Sequence, residues 1–434
     1  AGALAASNTG GLTKEGTGTL TIHANSQYTG VTTVNGGTLE MLATAGSNAP
    51  GSDSYQINNG STLFLNDTTA SNIVMATGRG DITFGSSLTG GTLQLNGNTI
   101  FRNQTITTTG GAKNLITGGG FNLQNTRSII FDTAVVGTDG DGIDLEVSAT
   151  IGGGDIIKNG AGTVSLTNSA NNLGLQGGAT GDPNTVTINA GVLELGGAGR
   201  LGSGNYSGAI NNDGIFRHNS TNNQILNGVI SGTGAIEKDN NSTLTLTGNN
   251  NTYSGNTTVS DGTLIINGNQ SGATGAMTIN ANGTLAGSGT IGASLLTVNG
   301  VIAPGNSPGT LATGSQLWNN GGSYLWEIND SAGAKGGDFG WDWLDITGDL
   351  NLANLSTGGF TIDITSLTTA NDPGLAAGFD YSGLAYGDPF GTSFIIASAD
   401  TISGFDAGLF TLDDSAFVNG KLDWSIIESG TDLV

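Results

Sequence analysis

The residues best suited to bind a metal ion lie in an acidic, glycine-rich stretch that begins at Gly137. Asp139, Asp141 and Asp144 are spaced there by glycines, and carboxylates on a flexible loop supply the hard oxygen ligands that Ca²⁺ prefers. The stretch half-matches a calcium-binding nonapeptide, but Glu146 stands where an apolar residue belongs and no tandem copy follows. The sequence therefore makes these three aspartates a candidate calcium site, with a solvated acidic loop as the alternative. It indicates no other cofactor.

Two tryptophans near the C-terminal end are candidates for glycan contact. Trp341 and Trp343 flank one aspartate, and Asp338 and Asp345 lie close by in the sequence. Aromatic faces can stack on sugar rings while carboxylates accept hydrogen bonds from hydroxyls. The same residues would serve equally well as a hydrophobic core with a polar rim, so this alternative stays open.

Catalysis on polysaccharides also has to be considered, because glycan-cleaving enzymes use all-β coils of short strands. Inverting hydrolysis needs two carboxylates about 6.5–9.5 Å apart, whereas most acidic residues before residue 312 stand singly at turns. His23 and His218 have no partnered nucleophile in view, and we expect both on the surface. We predict no catalytic residues and keep a polysaccharide-active enzyme as the second alternative.

The elements that position these residues must be short strands. The 434-residue chain has 77 glycines, no cysteine and only 36% hydrophobic residues, yet its Leu, Ile and Val alternate with polar residues over runs of a few residues. Most runs end in Asn-Gly, Asp-Gly or Gly-Gly, which adopt the positive φ angles of tight corners. Ordered strands are therefore expected despite a composition that is typical of disorder.

One phrase recurs along the chain, reading GTGTLTIHANSQYTGVTTVNGGTLE at residues 16–40. Related phrases follow at residues 158–172 and 242–264. The aligned copies share a lysine, a polar turn and an alternating apolar run, and two of them close on Gly-Thr-Leu. The lysines are Lys14, Lys158 and Lys238. Their recurrence at one repeat position predicts a structural role.

Stacking of successive rungs is needed because one rung cannot bury its own inward leucines and valines. We therefore predict an all-β chain with a parallel β-helix, or solenoid, over residues 1–312, at roughly 20–25 residues per turn. Corner asparagines in such coils stack and satisfy each other's amides. The candidates for these ladders are Asn25, Asn35, Asn58 and Asn189.

The recurring phrase resembles the autotransporter-associated β-strand repeat of bacterial passenger domains. Residues 283–311 resemble the terminal part of such arrays, and residues 323–330 and 341–352 are similar to the C-terminal module of large verrucomicrobial-type repeat proteins. The resemblance implies a right-handed parallel β-helix of a bacterial surface protein. The translocator barrel and the Pro-Glu-Pro sorting tail of such proteins are missing here, so we expect a mature protein that has either lost its anchor or never had one.

The amino-acid composition changes after residue 312. All five tryptophans lie beyond this point, and residues 301–434 hold 17 of the 34 acidic residues. Alternating runs such as Tyr324, Trp326 and Ile328 indicate wider strands with an aromatic core. A β-helix end exposes unpaired backbone groups. We therefore predict that residues 313–434 form a smaller β-rich module that caps the coil.

The net charge and the hydropathy of the chain limit the classes of partner that it can bind. A net charge of −23 with only 11 Lys and Arg argues against nucleic acid and anionic membranes, and no apolar run is long enough to predict a membrane span. We predict a secreted, noncatalytic structural protein of the cell surface or extracellular matrix. Its open rung ends would let rods join end to end into filaments. An adhesin that binds a glycan or a cell-surface receptor is the alternative.

Overall fold

The structure is a computed structural model that describes residues 9–23, 28–43, 54–67, 73–74, 81–85, 90–100, 103–124, 127–135, 140–173, 184–379, 393–420 and 422–434. The described chain is built from short strands and two 3-10 turns, Gly202–Gly204 and Ala407–Leu409. The all-β, parallel-coil fold predicted from the alternating pattern is confirmed. No helix in this described part is long and apolar enough to cross a lipid bilayer. The chain divides into two compact units, Ala1–Ala235 and Ile236–Val434.

In the first unit, each face of the coil is a ladder of parallel strands, and the next strand in a ladder comes roughly 20–30 residues later. The strands of the first face are Leu12–Lys14, Thr32–Val34, Ser54–Ile57, Asp81–Phe84, Thr105–Thr108, Ser128–Thr133, Asp155–Asn159, Val186–Ile188, Ile210–Asn212 and Ile230–Ser231. Those of the second face are Thr19–His23, Thr38–Ala43, Thr62–Asp67, Thr92–Ile100, Asn114–Asn122, Leu145–Val147, Thr163–Leu166, Val192–Gly197 and Ile215–Ser220. Shorter strands form further pairs: Ile73–Val74, Thr150–Gly152, Asn205–Tyr206 and Gln224–Leu226.

The second unit repeats this arrangement on three faces. The first face contains Ala235–Lys238, the start of Thr257–Ile266, the start of Met277–Gly287, Leu296–Val298, Gln316–Trp318, Asp349–Asn351 and Thr401–Ser403. The second contains Thr243–Leu246, the ends of the two long strands, Val301–Pro304, Ser323–Ile328, Phe360–Ser366 and Phe410–Ala416. The third contains Asn269–Gln270, Thr290–Ile291, Thr310–Thr313, Trp343–Ile346, Ala397–Ser398, Asp432–Leu433 and Glu428–Ser429. Ala334–Lys335 and Gly340–Trp341 pair beside the coil.

Strand alternation determines the core of both units. In the strand Thr257–Ile266, the side chains of Val259, Leu264 and Ile266 are fully buried. Thr258 and Ile265, which alternate with them, are only half-buried. Burying one such aliphatic side chain contributes about 1.5–3 kcal/mol. Since inward positions repeat in register from coil to coil, the ladders form one continuous apolar interior within each unit.

The recurring lysines hold the corners between successive coils. Lys238 Nζ donates to the backbone carbonyls of Asp239 at 2.8 Å and Asn240 at 2.5 Å, and to that of Asp261, one coil later, at 3.0 Å. Lys14 and Lys158 make the same set of three contacts. Burial lowers the pKa of Lys158 and of Lys238 to about 8, so both carry an ammonium group at neutral pH. Its three N–H donors match three carbonyls, which confirms the structural role.

The glycine that closes the repeat lies in the same corner. Gly262 has a φ of +68°, and a Cβ there would lie 2.4 Å from the carbonyl oxygen of Asn240 in the preceding coil. Gly37 has a φ of +63° and would place a Cβ 2.3 Å from the carbonyl oxygen of Gly18. Both the left-handed backbone and the close approach of the coils therefore require glycine.

The tyrosine of the repeat is an inward side chain with a local hydrogen-bond partner. Tyr28 and Tyr253 are almost completely buried. Their hydroxyl groups lie 2.6 Å from Thr32 Oγ1 and 2.9 Å from Thr257 Oγ1. A buried tyrosine needs such a partner for its hydroxyl group. The tyrosine and the threonine four residues after it therefore form one hydrogen-bonded pair in each of these two copies of the repeat.

Asparagine ladders run along the corners. Asn58 Nδ2 donates to Asn35 Oδ1 at 2.8 Å, and Asn35 Nδ2 donates to Glu15 Oε1 at 2.7 Å. Asn189 Nδ2 donates to Asn159 Oδ1 at 2.8 Å. The predicted ladders are thus confirmed at Asn35, Asn58 and Asn189, while Asn25 lies outside the described residues.

Parallel pairing continues beyond residue 312. Ser323–Ile328 pairs in parallel with Phe360–Ser366, which pairs in turn with Phe410–Ala416. The third face ends differently, because Asp432–Leu433 pairs antiparallel with Ala397–Ser398. The separate folding of residues 1–312 and 313–434 stays a prediction.

Candidate functional site

The candidate calcium residues have protein partners where the structure describes them. Asp141 Oδ2 lies 2.8 Å from Lys113 Nζ, and this contact lowers the pKa of Asp141. Asp144 is buried, and its Oδ2 accepts a hydrogen bond from the Thr163 amide at 2.5 Å. Asp139 lies outside the described residues. The part of the chain that the structure describes holds no group of three His, Cys, Asp or Glu arranged for a metal ion. Calcium binding at these three aspartates stays a prediction.

The two candidate glycan-contact tryptophans lie half-exposed on the outside of the second unit. Trp341 Nε1 donates to the carbonyl of Ile395 at 2.9 Å, and its ring packs edge-on against Phe394. Trp343 Nε1 donates to Ser398 Oγ at 3.0 Å, and Lys335 Nζ lies 4.1 Å from the centre of its ring. Both indole N–H groups therefore bond within the protein, which leaves only ring faces and edges for a sugar. Glycan contact at these residues stays a prediction.

A buried carboxylate lies between the two tryptophans, and sequence reasoning missed it. Asp342 is 1% exposed. Its Oδ1 accepts from the Gly309 amide at 2.7 Å, and its Oδ2 accepts from the Glu327 amide at 3.0 Å. It thereby ties residue 309, just before one strand, to the neighbouring strand Ser323–Ile328. The signal was available, because strict alternation that puts Trp341 and Trp343 outside must put Asp342 inside.

Glu327 is the second carboxylate of this pair. Its Oε2 accepts a hydrogen bond from Ser307 Oγ at 2.5 Å. Burial raises the pKa of Asp342 well above its ordinary value, and the nearby charge of Glu327 raises it further. Burial also raises the pKa of Glu327, although the hydrogen bond from Ser307 opposes this. Asp342 binds the amide of Gly309 and Glu327 binds the hydroxyl group of Ser307. The two carboxyl groups together are therefore suited to holding the loop at residues 307–309 in place.

This pair predicts a pH dependence of stability. The folded chain keeps a proton on Asp342 at a pH where an unfolded carboxyl, with a pKa near 4, has lost it. The stabilisation is complete below about pH 4 and is lost as the pH rises through the raised pKa. We expect the urea midpoint of wild type to fall as the pH rises above about 4, with a shallower slope in Asp342→Asn.

Asp400→Asn is the matched control for this slope, because it removes an exposed carboxylate of the same unit. It accounts for the general effect of net charge on stability. If Asp342→Asn and Asp400→Asn gave the same pH slope, the carboxyl pair would have no role in it.

One of the two histidines is buried in a strand. His218 is fully buried in the strand Ile215–Ser220, so the prediction that it lies on the surface was wrong. Its position follows the strand alternation, since Phe216 and Ser220 also point inward. His23 lies in the strand Thr19–His23.

The similarity to known proteins follows the repeat rather than any single site. The passenger-associated-transport-repeat matches residues 12–41 and 236–266. These two stretches contain the corner lysines Lys14 and Lys238 and the closing glycines Gly37 and Gly262. The sequence profile and the corner geometry thus identify the same unit.

Two curated proteins share longer stretches with the chain. The adhesin BmaC autotransporter of Brucella suis biovar 1 (strain 1330) is 35% identical over 191 residues, 43% of this chain. An extracellular serine protease of Serratia marcescens is 40% identical over 103 residues, 24% of this chain. The aligned stretches span 5% and 10% of the lengths of these relatives.

Proposed function

Since the chain is a β-repeat protein of the autotransporter passenger type, we propose that it is a noncatalytic structural segment displayed outside the bacterial cell. The observation that carries this proposal is the in-register parallel ladder of each unit. A ladder whose corners are fixed by lysines and glycines holds its outward Thr, Ser and Asn side chains at constant spacing. Its function would therefore lie in the surface that it presents.

The location outside the cell is supported by the repeat and by both relatives. The repeat is described as passenger-associated, and the two relatives are described as an autotransporter adhesin and as extracellular. The test is antibody labelling of intact cells that produce the protein. We expect labelling without permeabilisation, and labelling only after permeabilisation would contradict the proposal.

The noncatalytic role is supported by the burial of the groups that could do chemistry. His218 and Asp342 are both almost inaccessible to solvent. The stretch shared with the serine protease covers only 10% of that protein, so it does not by itself transfer the protease activity. A fluorophosphonate probe for active serines and turnover assays on acidic polysaccharides test this role, and we expect neither labelling nor product. Labelling or turnover would establish an enzyme instead.

We also propose that copies of the protein associate with each other. Among the described residues, the terminal strands Leu12–Lys14 and Phe410–Ala416 each pair with one neighbour, which leaves one edge of each unpaired. Unpaired edges accept a further strand from another chain. Electron microscopy of the concentrated protein should show filaments, and monodisperse particles at high concentration would rule them out.

Adhesion is the second candidate function, and the adhesin relative favours it. In this case the β-helix would position a receptor-binding surface. Beads coated with the protein should attach to host cells or to a glycan-coated surface more than beads coated with a Cys-free control protein. Equal attachment of both kinds of bead would remove this candidate.

A further inference from the structure

A mainly apolar cavity lies in the second unit, between strands of the coil and the segment 423–427. Its lining comes from the strands Ser323–Ile328, Phe360–Ser366 and Phe410–Ala416 and from residues 393–396 and 423–427. Its volume is about 160 Å³. A cavity of about 150 Å³ lined by Leu, Ile and Phe accommodates a benzene molecule, so this cavity has room for one six-membered ring.

Inward side chains of the coil form the floor of the cavity. Ile362 and Ile364 lie on the strand Phe360–Ser366, and Trp326 lies opposite Ile364 on the neighbouring strand. Each of these three side chains is almost completely buried. The indole N–H of Trp326 already donates to the carbonyl of Asp342 at 3.0 Å. The three side chains therefore offer a ligand apolar contact and no unused hydrogen-bonding group.

Three aromatic rings that contact one another line the cavity. The ring centre of Trp326 lies 5.6 Å from that of Phe394 and 6.0 Å from that of Trp424. The ring centres of Phe394 and Trp424 are 6.3 Å apart. Tilted and edge-on contacts at these distances are favourable and hold each ring in one orientation. This preformed aromatic wall favours a ligand with an apolar ring, because the wall loses little conformational freedom when the ligand binds.

The indole N–H of Trp424, which lines the cavity, is a donor without an acceptor. Its Nε1 is buried and has no hydrogen-bond partner within the described part of the chain. Buried donors in native proteins are nearly always paired with a protein group, a water molecule or a ligand, because an unpaired donor destabilises the fold. A bound molecule with an acceptor atom would pair this donor, whereas a hydrocarbon would leave it unpaired.

Exposed residues of the lining mark the side on which the cavity opens to solvent. These residues are Ser393, Asp423, Ser425 and Ile427. A small molecule can therefore enter without unfolding the coil. The Asp423 carboxylate and the net charge of −23 repel anions, whereas the apolar floor supplies no counter-charge for a buried cation. The cavity therefore favours a neutral ligand.

We propose that this cavity binds a small neutral carbonyl compound with an apolar ring. The ring would lie against Ile362, Ile364 and the aromatic wall, and the carbonyl oxygen would accept a hydrogen bond from Trp424 Nε1. This binding activity goes beyond the structural and adhesive roles proposed above and depends on neither of them.

Nuclear magnetic resonance titration of the full chain with three probes of similar size tests the cavity. Cyclohexanone has the carbonyl oxygen, methylenecyclohexane has a carbon in its place, and cyclohexylammonium carries a positive charge. In wild type, cyclohexanone should shift one of the five indole N–H signals downfield, as a new hydrogen bond does. Trp424→Phe should remove that signal. It should also weaken cyclohexanone binding about 5-fold more than methylenecyclohexane binding, which is the factor that one hydrogen bond contributes.

Trp343→Phe is the matched control, because the Trp343 indole N–H donates to Ser398 Oγ and this tryptophan is not part of the lining. It should bind every probe as wild type does. Leu412→Phe enlarges a side chain of the lining and should weaken binding of both neutral probes at least about 10-fold.

The proposal is overturned if no probe binds, if cyclohexylammonium binds best, or if Trp424→Phe weakens cyclohexanone and methylenecyclohexane binding equally. Loss of probe binding as the protein dimerises would identify a second copy of the chain as the occupant and would overturn it as well. Far-UV circular dichroism and thermal midpoints establish that each variant is folded. If Trp424→Phe does not fold, the wild-type spectrum decides, because a downfield indole shift has to appear with cyclohexanone and not with methylenecyclohexane.

Discussion

Lys238→Met is expected to lower the free energy of unfolding of the second unit by about 3 kcal/mol or more. The ammonium group donates to three carbonyl oxygens, one of which belongs to the next coil. Methionine fills similar space but donates nothing, so three corner carbonyls lose a charged donor. Urea unfolding followed by circular dichroism measures the effect.

Lys335→Met is the control, because Lys335 is exposed and contacts the ring of Trp343. Losing this exposed cation–π contact should cost at most about 1 kcal/mol. Equal effects of the two substitutions would mean that the corner lysine is an ordinary surface residue. Lys238→Arg is informative as well, since its planar guanidinium cannot reproduce the three-carbonyl geometry and should restore only part of the stability.

Gly262→Ala is expected to have a comparable effect for a different reason. The new Cβ would lie 2.4 Å from the carbonyl oxygen of Asn240 at a φ of +68°, so coil spacing and backbone both have to change. Backbone strain and overpacking together should cost about 3 kcal/mol or more. The measurement is again the free energy of unfolding in urea.

Gly321→Ala separates the cost of backbone strain from the cost of overpacking between coils. Gly321 has a φ of +85°, but no atom lies within 4 Å of the position that a Cβ would take there, so alanine adds backbone strain alone. We expect a cost of about 1–2 kcal/mol. If Gly262→Ala cost no more than Gly321→Ala, close coil stacking would not be what selects glycine at the end of the repeat.

The repeat and its parallel stacking could be predicted because they depend on local rules that act at every rung. Period-two alternation determined the inward residues, and glycine-rich corners fixed where each strand ends. The recurrence of Lys14, Lys158 and Lys238 indicated a structural role, although the three carbonyl acceptors could not be inferred. Those acceptors come partly from the next coil, so they depend on a register that one sequence does not specify.

The parts that escaped prediction depend on contacts between distant residues. The sequence pattern leaves Asp342 in a polar rim, because its partners at residues 309 and 327 come together only when coils stack. A cleft beside the loop at residues 307–309 is likewise lined by residues far apart in the sequence, among them residues 288, 310, 338 and 371. His218 is a different case, because strand alternation alone predicts an inward side chain, whereas its polar residue type favours the surface.

Spin-label distances along one outward ladder test the parallel coil most directly. The chain has no cysteine, so pairs of cysteines can be introduced at Thr258, Thr278 and Thr297, which are in register on successive coils. Stacked parallel strands predict backbone separations of about 5 Å for the 258–278 pair and about 10 Å for the 258–297 pair. Electron paramagnetic resonance should show stronger dipolar broadening for the first pair. Equal broadening, or stronger broadening for the second pair, would contradict the stacked coil.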